Sequence, residues 1–316
     1  MKKIKLFTLL PLLLTPFMMT SCNRNVKTIG ICQLVTHDAL DAATNGFIKA
    51  VEDGLGKDNV KFELKNAAGD SGTCVTINND FVAKNVDLIM ANATPALQAA
   101  ANSTETIPVL GTSITDYASA LELKDFNGVV GGNISGTSDL APLANQAAMV
   151  KELIPSAQKV GLLYCASEAN SVYQINIVDT ALKGMGLETK RISFTDSNDL
   201  SVALTGNISD LDALYIPTDN KCADNATAID AICRPEGLPI ICGEENMCKK
   251  CGIATLSIDY FNLGLKTGQM AVEILKDGKD ISKMAIAYDE NPVKKFNEEI
   301  CNELNITVPS SYTKIA

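Results

Sequence analysis

Val160-Gly161-Leu162-Leu163-Tyr164-Cys165-Ala166-Ser167-Glu168-Ala169-Asn170-Ser171 is the stretch on which the fold turns. It opens as a short apolar run fit for a parallel strand buried on both faces. It becomes polar within a few residues, and Ser171 is followed three positions later by Gln174, the spacing of a capping box that starts a helix. A strand ends, a polar loop follows, and a helix N-terminus points back at the loop. Its free N–H groups and partial positive charge suit an anionic group on a ligand.

The same order recurs along the chain. Val86–Thr94 reads as a strand, with Thr94-Pro95 as an N-cap and a proline at the first helical position. Leu211–Asp219 reads the same way, with Asp219 in the capping place. Ile107–Ser113 and Leu238–Glu244 are strands begun by Pro and ended by Gly plus a polar residue. In an open α/β sheet, ligands bind outside the carboxyl ends of the strands, so these loops are where function is expected. Ile29-Gly30-Ile31-Cys32 and Val160-Gly161-Leu162-Leu163 precede two helices at the same distance, and the same offset maps Pro108 onto Pro239. Asp87 precedes Thr94 by the spacing with which Asp212 precedes Asp219. The chain reads as two related α/β halves, although unrelated strand–helix units can share such spacing.

Length and composition set bounds. A chain of 316 residues holds two domains of ordinary size, and 46% hydrophobic residues suffice for packed cores. Aromatics are 5%, with no Trp. A net charge of −10 argues against nucleic acid or an anionic membrane surface as a partner.

At the N-terminus, Met1-Lys2-Lys3-Ile4-Lys5 is a basic segment, and Leu6–Met19 is an apolar run too short for a membrane span. Met19-Thr20-Ser21-Cys22 resembles a bacterial lipobox, with Met where Leu is more usual; an ordinary signal peptide cut nearby is the alternative. Residues 1–21 are expected to be a lipoprotein signal peptide, Cys22 the lipidated residue and 22–27 a tether. Loss of 1–21 takes three lysines from 27 bases and none of the 37 acids, so the charge moves from −10 to −13. Two acyl chains anchor such a protein stably to a membrane.

Ten cysteines are many for this length. Cys32 and Cys165 fall in or at the ends of strands and read as small buried hydrophobes. Cys242, Cys248 and Cys251 cluster, but a second ligand pair is lacking, so no metal is expected. A Cys222–Cys233 disulfide would fit an oxidising compartment.

Strands are predicted near 27–33, 60–66, 86–92 and 107–112, with helices near 40–55, 73–84, 94–103 and 138–153 and a further short strand over 129–134. The second half repeats this: strands near 159–164, 188–194, 212–216, 238–242 and 253–256, helices near 171–185, 198–208, 222–234 and 244–250. An amphipathic helix over 259–276, a strand over 284–288 and a last helix over 292–303 follow. Such alternation means parallel sheets covered on both faces. The chain is expected to cross between lobes near 135–145, 253–258 and 283–290.

These residues resemble a family. The signal and lipobox, Ile29-Gly30-Ile31-Cys32-Gln33 with His37 and Ala39-Leu40-Asp41, Ala93-Thr94-Pro95-Ala96, Gly136-Thr137-Ser138-Asp139, Tyr164 through Glu168 to Asn170-Ser171, Pro217-Thr218-Asp219-Asn220 and Asp259-Tyr260 are similar to the substrate-binding lipoproteins of ABC transporters. The subgroup they resemble most is the one assigned to tryptophan and other aromatic amino acids. The likeness covers nearly the whole mature chain; each motif is weak alone, and their order and spacing carry it. His37-Asp38 departs from the subgroup's usual His-Pro, and the cysteines at 248 and 251 look peculiar to this chain. The resemblance implies the type I periplasmic-binding-protein fold: two Rossmann-like α/β lobes with parallel sheets, joined by three hinge crossovers and closing on a ligand. Lobe one is expected over 28–140 plus 257–285, and lobe two over 141–256 plus 286–316. It also implies ABC permease subunits as partners and an extracytoplasmic, lipid-anchored location.

An amino acid brings one carboxylate and one ammonium. Helix N–H groups and hydroxyls hold a carboxylate well, and Thr94-Pro95, Thr112-Ser113 and Ser138 offer such places. Asp219 or Glu244 would pair with the ammonium, with Thr218 and Asn220 beside Asp219. Glu168, Asn170 and Ser171 would add hydrogen bonds across the mouth, and Gln33 and His37 would line the side-chain pocket. Plain structural roles compete: Thr94, Asp219 and Ser171 as N-caps, Glu244 as a solvated loop residue, His37 as a helix-start residue. Tyr117, Tyr164, Tyr173 and Tyr215 are sparse platforms for a sugar or nucleoside, the alternative ligands of a binding or sensor protein of this fold. Catalysis and cofactors are not expected. His37 is the one histidine, no Gly-x-Ser-x-Gly elbow occurs, and Gly131-Gly132 with Gly136 misses the Gly-x-Gly-x-x-Gly spacing.

Overall fold

The computed structural model describes residues 26–289 and 291–316. The expected signal peptide and Cys22 lie outside the described residues. The first half runs β1 (Lys27–Gln33), α1 (Asp38–Leu55), β2 (Val60–Asn66), α2 (Ser71–Ala83), β3 (Leu88–Asn92), α3 (Thr94–Ser103), β4 (Val109–Ile114), α4 (Tyr117–Ala120) and β5 (Ile134–Ser138). The second runs α5 (Leu143–Leu153), β6 (Lys159–Cys165), α6 (Ala169–Gly184), β7 (Glu188–Phe194), α7 (Ser197–Thr205), β8 (Ala213–Ile216), α8 (Asn220–Asp224), α9 (Ala226–Cys233), β9 (Ile240–Cys242), α10 (Glu245–Cys251) and β10 (Ala254–Ser257). The chain then returns for α11 (Tyr260–Leu275) and β11 (Ala287–Tyr288), and ends with β12 (Val293–Phe296), α12 (Glu298–Glu303) and β13 (Thr313–Lys314).

Two sheets result, ordered β11-β5-β4-β3-β1-β2 and β13-β12-β10-β9-β8-β6-β7. The shared run β2-β1-β3-β4-β5 and β7-β6-β8-β9-β10 is the internal repeat in three dimensions. Asp87 and Asp212 do the same work in each copy: Asp87 accepts from the Thr28 N–H at 2.8 Å, and Asp212 from the Gln158 and Lys159 N–H groups at 2.8 Å. The central strands β3, β4 and β8 are buried along their whole length, as apolar runs in a sheet covered on both faces must be. Crossovers fall between β5 and α5, between β10 and α11, and between β11 and β12.

Tertiary pairing moved several boundaries. Over 129–134 only isolated bridges form, and the strand proper is β5. The helix expected from 138 starts at Leu143, because Ser138 still pairs in the sheet and Pro142 stands at the N-cap. The helix expected over 292–303 splits: β12 lies antiparallel against the free edge of β10, and Asn297 caps the short α12 that remains. Sheet two is therefore mixed rather than all parallel. The 286–316 segment is divided as well, since β11 pairs with β5 of the first sheet. Cys32 and Cys165 are fully buried; Cys222 and Cys233 are free thiols packed in the lobe-two core, with no disulfide between them.

Two helices position the cleft. α1 and α11 pack so closely that a Cβ added at Gly264 would lie 1.9 Å from the Ala43 carbonyl oxygen. Only glycine permits this approach. It holds the N-terminal ends of both helices, His37–Leu40 and Tyr260, side by side at the carboxyl edge of sheet one.

Candidate ligand-binding cleft

The strand-end loops of the two lobes face each other across a narrow cleft of about 320 Å³, its open mouth included. Lobe one contributes His37, Ala39, Leu40, Ser113, Thr115, Asp139 and Tyr260; lobe two contributes Asn170, Thr218, Asp219, Asn220, Ala223 and Glu244. The lobes touch directly. His37 Nε2 lies 3.3 Å from Asn220 Oδ1, and Lys250 pairs with Asp38 at 3.1 Å.

Three carboxylates line the wall, and no lysine or arginine does. Asp139, at the end of β5, accepts from Thr115 Oγ1 at 3.0 Å and from the Tyr260 hydroxyl at 2.8 Å; burial pushes its carboxyl above the ordinary range. Glu244 caps α10, accepting from the N–H groups of Asn246 (2.6 Å) and Met247. Burial pushes it up to about 7 against those two hydrogen bonds. Asp219 caps α8 through Cys222 N–H at 2.8 Å, and its other oxygen takes the Cys165 N–H at 2.7 Å, so it ties α8 to the end of β6. A fourth buried carboxylate, Glu168, lies behind the wall. It accepts from Asn220 Nδ2 (2.7 Å), the N–H groups of Asn220 and Lys221, and Asn170 Nδ2. Burial and the nearby Asp219 push it up to about 7.

Several buried polar atoms have no protein partner: His37 Nδ1, Ser113 Oγ and Asn170 Oδ1 in the wall, and Thr94 Oγ1 at the start of α3. An unmet buried polar group costs about 1–3 kcal/mol, so several together around one cavity mark a place for a polar ligand. Backbone strain gathers on the same side. Ser113 sits at φ 56 where the β4–β5 register shifts, and Ala93, before α3, at φ 88. Non-glycine residues adopt such angles only where their surroundings force them, commonly at functional sites.

Of the residues expected in the site, His37, Ser113, Asn170, Thr218, Asp219, Asn220 and Glu244 reach the wall. The others do not. Gln33 staples β1 to α1 through Thr44 (2.7 Å) and Asp41 (2.6 Å). Thr112 closes a ring of hydroxyls with Thr137 and Thr267 that joins β4, β5 and α11. Ser138 donates to the Thr115 carbonyl at 2.9 Å. Thr94 is the first residue of α3 rather than its N-cap, which is Ala93, and Pro95 follows it. Ser171 lies inside α6, whose N-cap is Glu168, so the capping box does not form. Tyr117 and Tyr215 are core residues, and none of the four tyrosines named as platforms lines the wall. Thr115, Asp139 and Tyr260 are the polar wall residues that were missed. Asp139 and Tyr260 end two of the quoted motifs, which was the available signal.

Among the described residues, no group of three or more His, Cys, Asp or Glu side chains is placed to hold a metal ion. No helix among them is long and apolar enough to cross a membrane.

Two α/β lobes with a cleft between their strand ends define a solute-binding protein of the type I periplasmic fold. Residues 28–316 match the family of ABC transporter substrate binding proteins, and the chain belongs to that family. Proteins of this family capture small solutes for ABC importers and work outside the cytoplasm. The chain is 35% identical over 286 residues (90% of the chain, 82% of the relative) to a tyrosine-binding protein of Clostridioides difficile strain R20291. A domain from Streptococcus pneumonia solved in complex with L-Trp matches with TM-score 0.86 and 31% identity, covering 90% of this chain and 97% of that one. A ligand-free, open substrate binding protein with adhesive properties from Clostridium difficile matches with TM-score 0.70 and 34% identity, covering 92% and 99%. Identity is no lower in the second pair, yet the superposition is poorer.

Proposed function

We propose that this protein binds a free aromatic L-amino acid for import. The observation that carries the reading is the wall itself: buried carboxylates from both lobes with no lysine or arginine in the wall, and an unpartnered hydroxyl in a strained strand end. A zwitterion answers both. Its ammonium pairs with Glu244 and Asp139, which hold hydrogen-bond donors but face no lysine or arginine in the wall. Asp219 ties α8 to the end of β6 as well as capping it, which favours a supporting role there. The ligand carboxylate turns to Ser113, whose hydroxyl is buried and unpartnered in the wall. The side chain lies against Leu40 and Ala223. The tyrosine-binding relative and the L-Trp complex support the aromatic class.

The lipidated Cys22 belongs to the same reading: it tethers the protein outside the cytoplasm beside the permease that receives the ligand. Closure over that ligand turns on the three crossovers, between lobe one (28–140 plus 257–288) and lobe two (141–256 plus 289–316).

The test is a panel of L-amino acids, nucleosides and sugars read by melting temperature and calorimetry. An aromatic amino acid at a hundred times its Kd should stabilise the fold by about 2.7 kcal/mol. A nucleoside or sugar that shifts the melt when no amino acid does overturns the reading.

A further inference from the structure

His37 is the single histidine of the chain. Glu168, although outside the wall, fixes what His37 presents to the cleft. Its Oε2 accepts from Asn220 Nδ2 at 2.7 Å, which turns the Asn220 carbonyl oxygen toward His37 Nε2, 3.3 Å away. An amide oxygen only accepts, so Nε2 must carry the proton. The ring is kept neutral by burial, and its Nδ1 is then a bare lone pair. That atom is buried, has no partner and belongs to a residue of the wall. The same carboxylate orients Asn170. Its Nδ2 lies 3.2 Å from Glu168 Oε2 and 3.0 Å from the Thr218 carbonyl, leaving Oδ1 buried and unpartnered as an acceptor.

We infer that His37 Nδ1, seconded by Asn170 Oδ1, accepts a hydrogen bond from an O–H or N–H on the ligand's side chain, and that His37 selects donor-bearing aromatic amino acids over phenylalanine. This rests on the amino-acid reading above. The division of the wall assigns these atoms to the side chain. Glu244 and Asp139 are carboxylates suited to the ammonium, whereas His37 and Asn170 are neutral acceptors in the same wall as the apolar Leu40 and Ala223. A phenol or an indole N–H satisfies them. Phenylalanine leaves both buried and unmet, the situation in which hydrogen-bonding sites discriminate most strongly.

Calorimetry with L-Tyr, L-Trp and L-Phe should show Tyr or Trp preferred over Phe by at least roughly tenfold. In His37→Leu, which removes the acceptor at similar size, the preference should shrink to within about threefold, and His37→Gln, which keeps an acceptor, should restore part of it. Because there is one histidine, imidazole-¹⁵N labelling gives one residue's signals in the unmutated protein. Nδ1 should resonate as an unprotonated nitrogen in the free protein and shift when L-Tyr is added, but not with L-Phe. Equal affinity for Tyr, Trp and Phe, an unchanged preference in His37→Leu, or a protonated Nδ1 overturns the inference while leaving the amino-acid reading intact. Absence of binding by all three in the unmutated protein overturns the parent reading, and this one with it.

Discussion

The two lobes share one topology and meet at equivalent strand ends, yet they face the cleft with opposite chemistry. In lobe one, α1 and α3 start without a side-chain cap, behind His37 and Ala93. In lobe two, α8 and α10 are capped by the buried carboxylates Asp219 and Glu244. Lobe one keeps the Ser113 hydroxyl and its strained backbone at the wall and adds one carboxylate, Asp139. Lobe two brings the other two, Asp219 and Glu244. The duplicated fold thus sets more negative charge on one face of the cleft than on the other, and at these four helices the difference is a capped or an open start.

The strongest way to break this comparison is to remove a charge from the lobe-two pole. Glu244→Gln should weaken amino-acid binding by about 3–5 kcal/mol, since it leaves the ammonium without one buried partner. The melting temperature of the free protein should change far less, because a raised carboxyl is costly to ionise there. Calorimetry and melting together decide it; unchanged affinity would move the ammonium elsewhere.

Asp219→Ala sharpens the contrast between a pole and a prop. It removes the α8 cap, about 1 kcal/mol, and orphans the Cys165 N–H, about 1–3 kcal/mol. Stability should fall by roughly those amounts in denaturant titration while affinity drops less than in Glu244→Gln. Lost binding with an unchanged melt would make Asp219 the ammonium partner instead.

pH titrates the same pole. Glu244 and Glu168 rise from 4.5 to about 7, so between those values the folded state keeps protons that the unfolded chain has released. Their contribution to the free protein's stability is therefore full below pH 4.5, declines as pH rises toward 7 and is flat above. Ligand affinity should run the opposite way, climbing by at most tenfold per pH unit up to about pH 7, because an ammonium favours ionised Glu244. Calorimetry in buffers of different ionisation enthalpy should show proton release on binding. Affinity that falls with rising pH would refute the pairing.

The smallest effect concerns lobe one. Ser113→Gly relieves a φ of 56 and should raise stability by up to about 1 kcal/mol, while losing a similar amount of affinity with the hydroxyl. A more stable protein with undiminished binding would show that the strain there serves no ligand.

Local sequence determined much of this protein. Apolar runs such as Leu88–Asn92 and Val109–Ile114 can only be strands buried on both faces. The Asp87/Asp212 and Gly30/Gly161 spacings disclosed the repeat, and Asp219 announced the helix start that it caps, because these signals act over a few residues; Glu244, whose competing role was a solvated loop residue, is instead a buried cap. Tertiary structure decided the rest. β12 became a strand only because β10 offered a free edge, and Ser138 stayed in the sheet because β4 reached it. Asp139 and Tyr260 met across 121 residues of sequence. Thr112, Ser138 and Gln33 lay at or near the right strand ends, but their side chains turned to nearby protein partners. Sequence position puts a residue near a strand end; which way its side chain points, and whether another protein group claims it first, depends on packing between segments far apart in the chain.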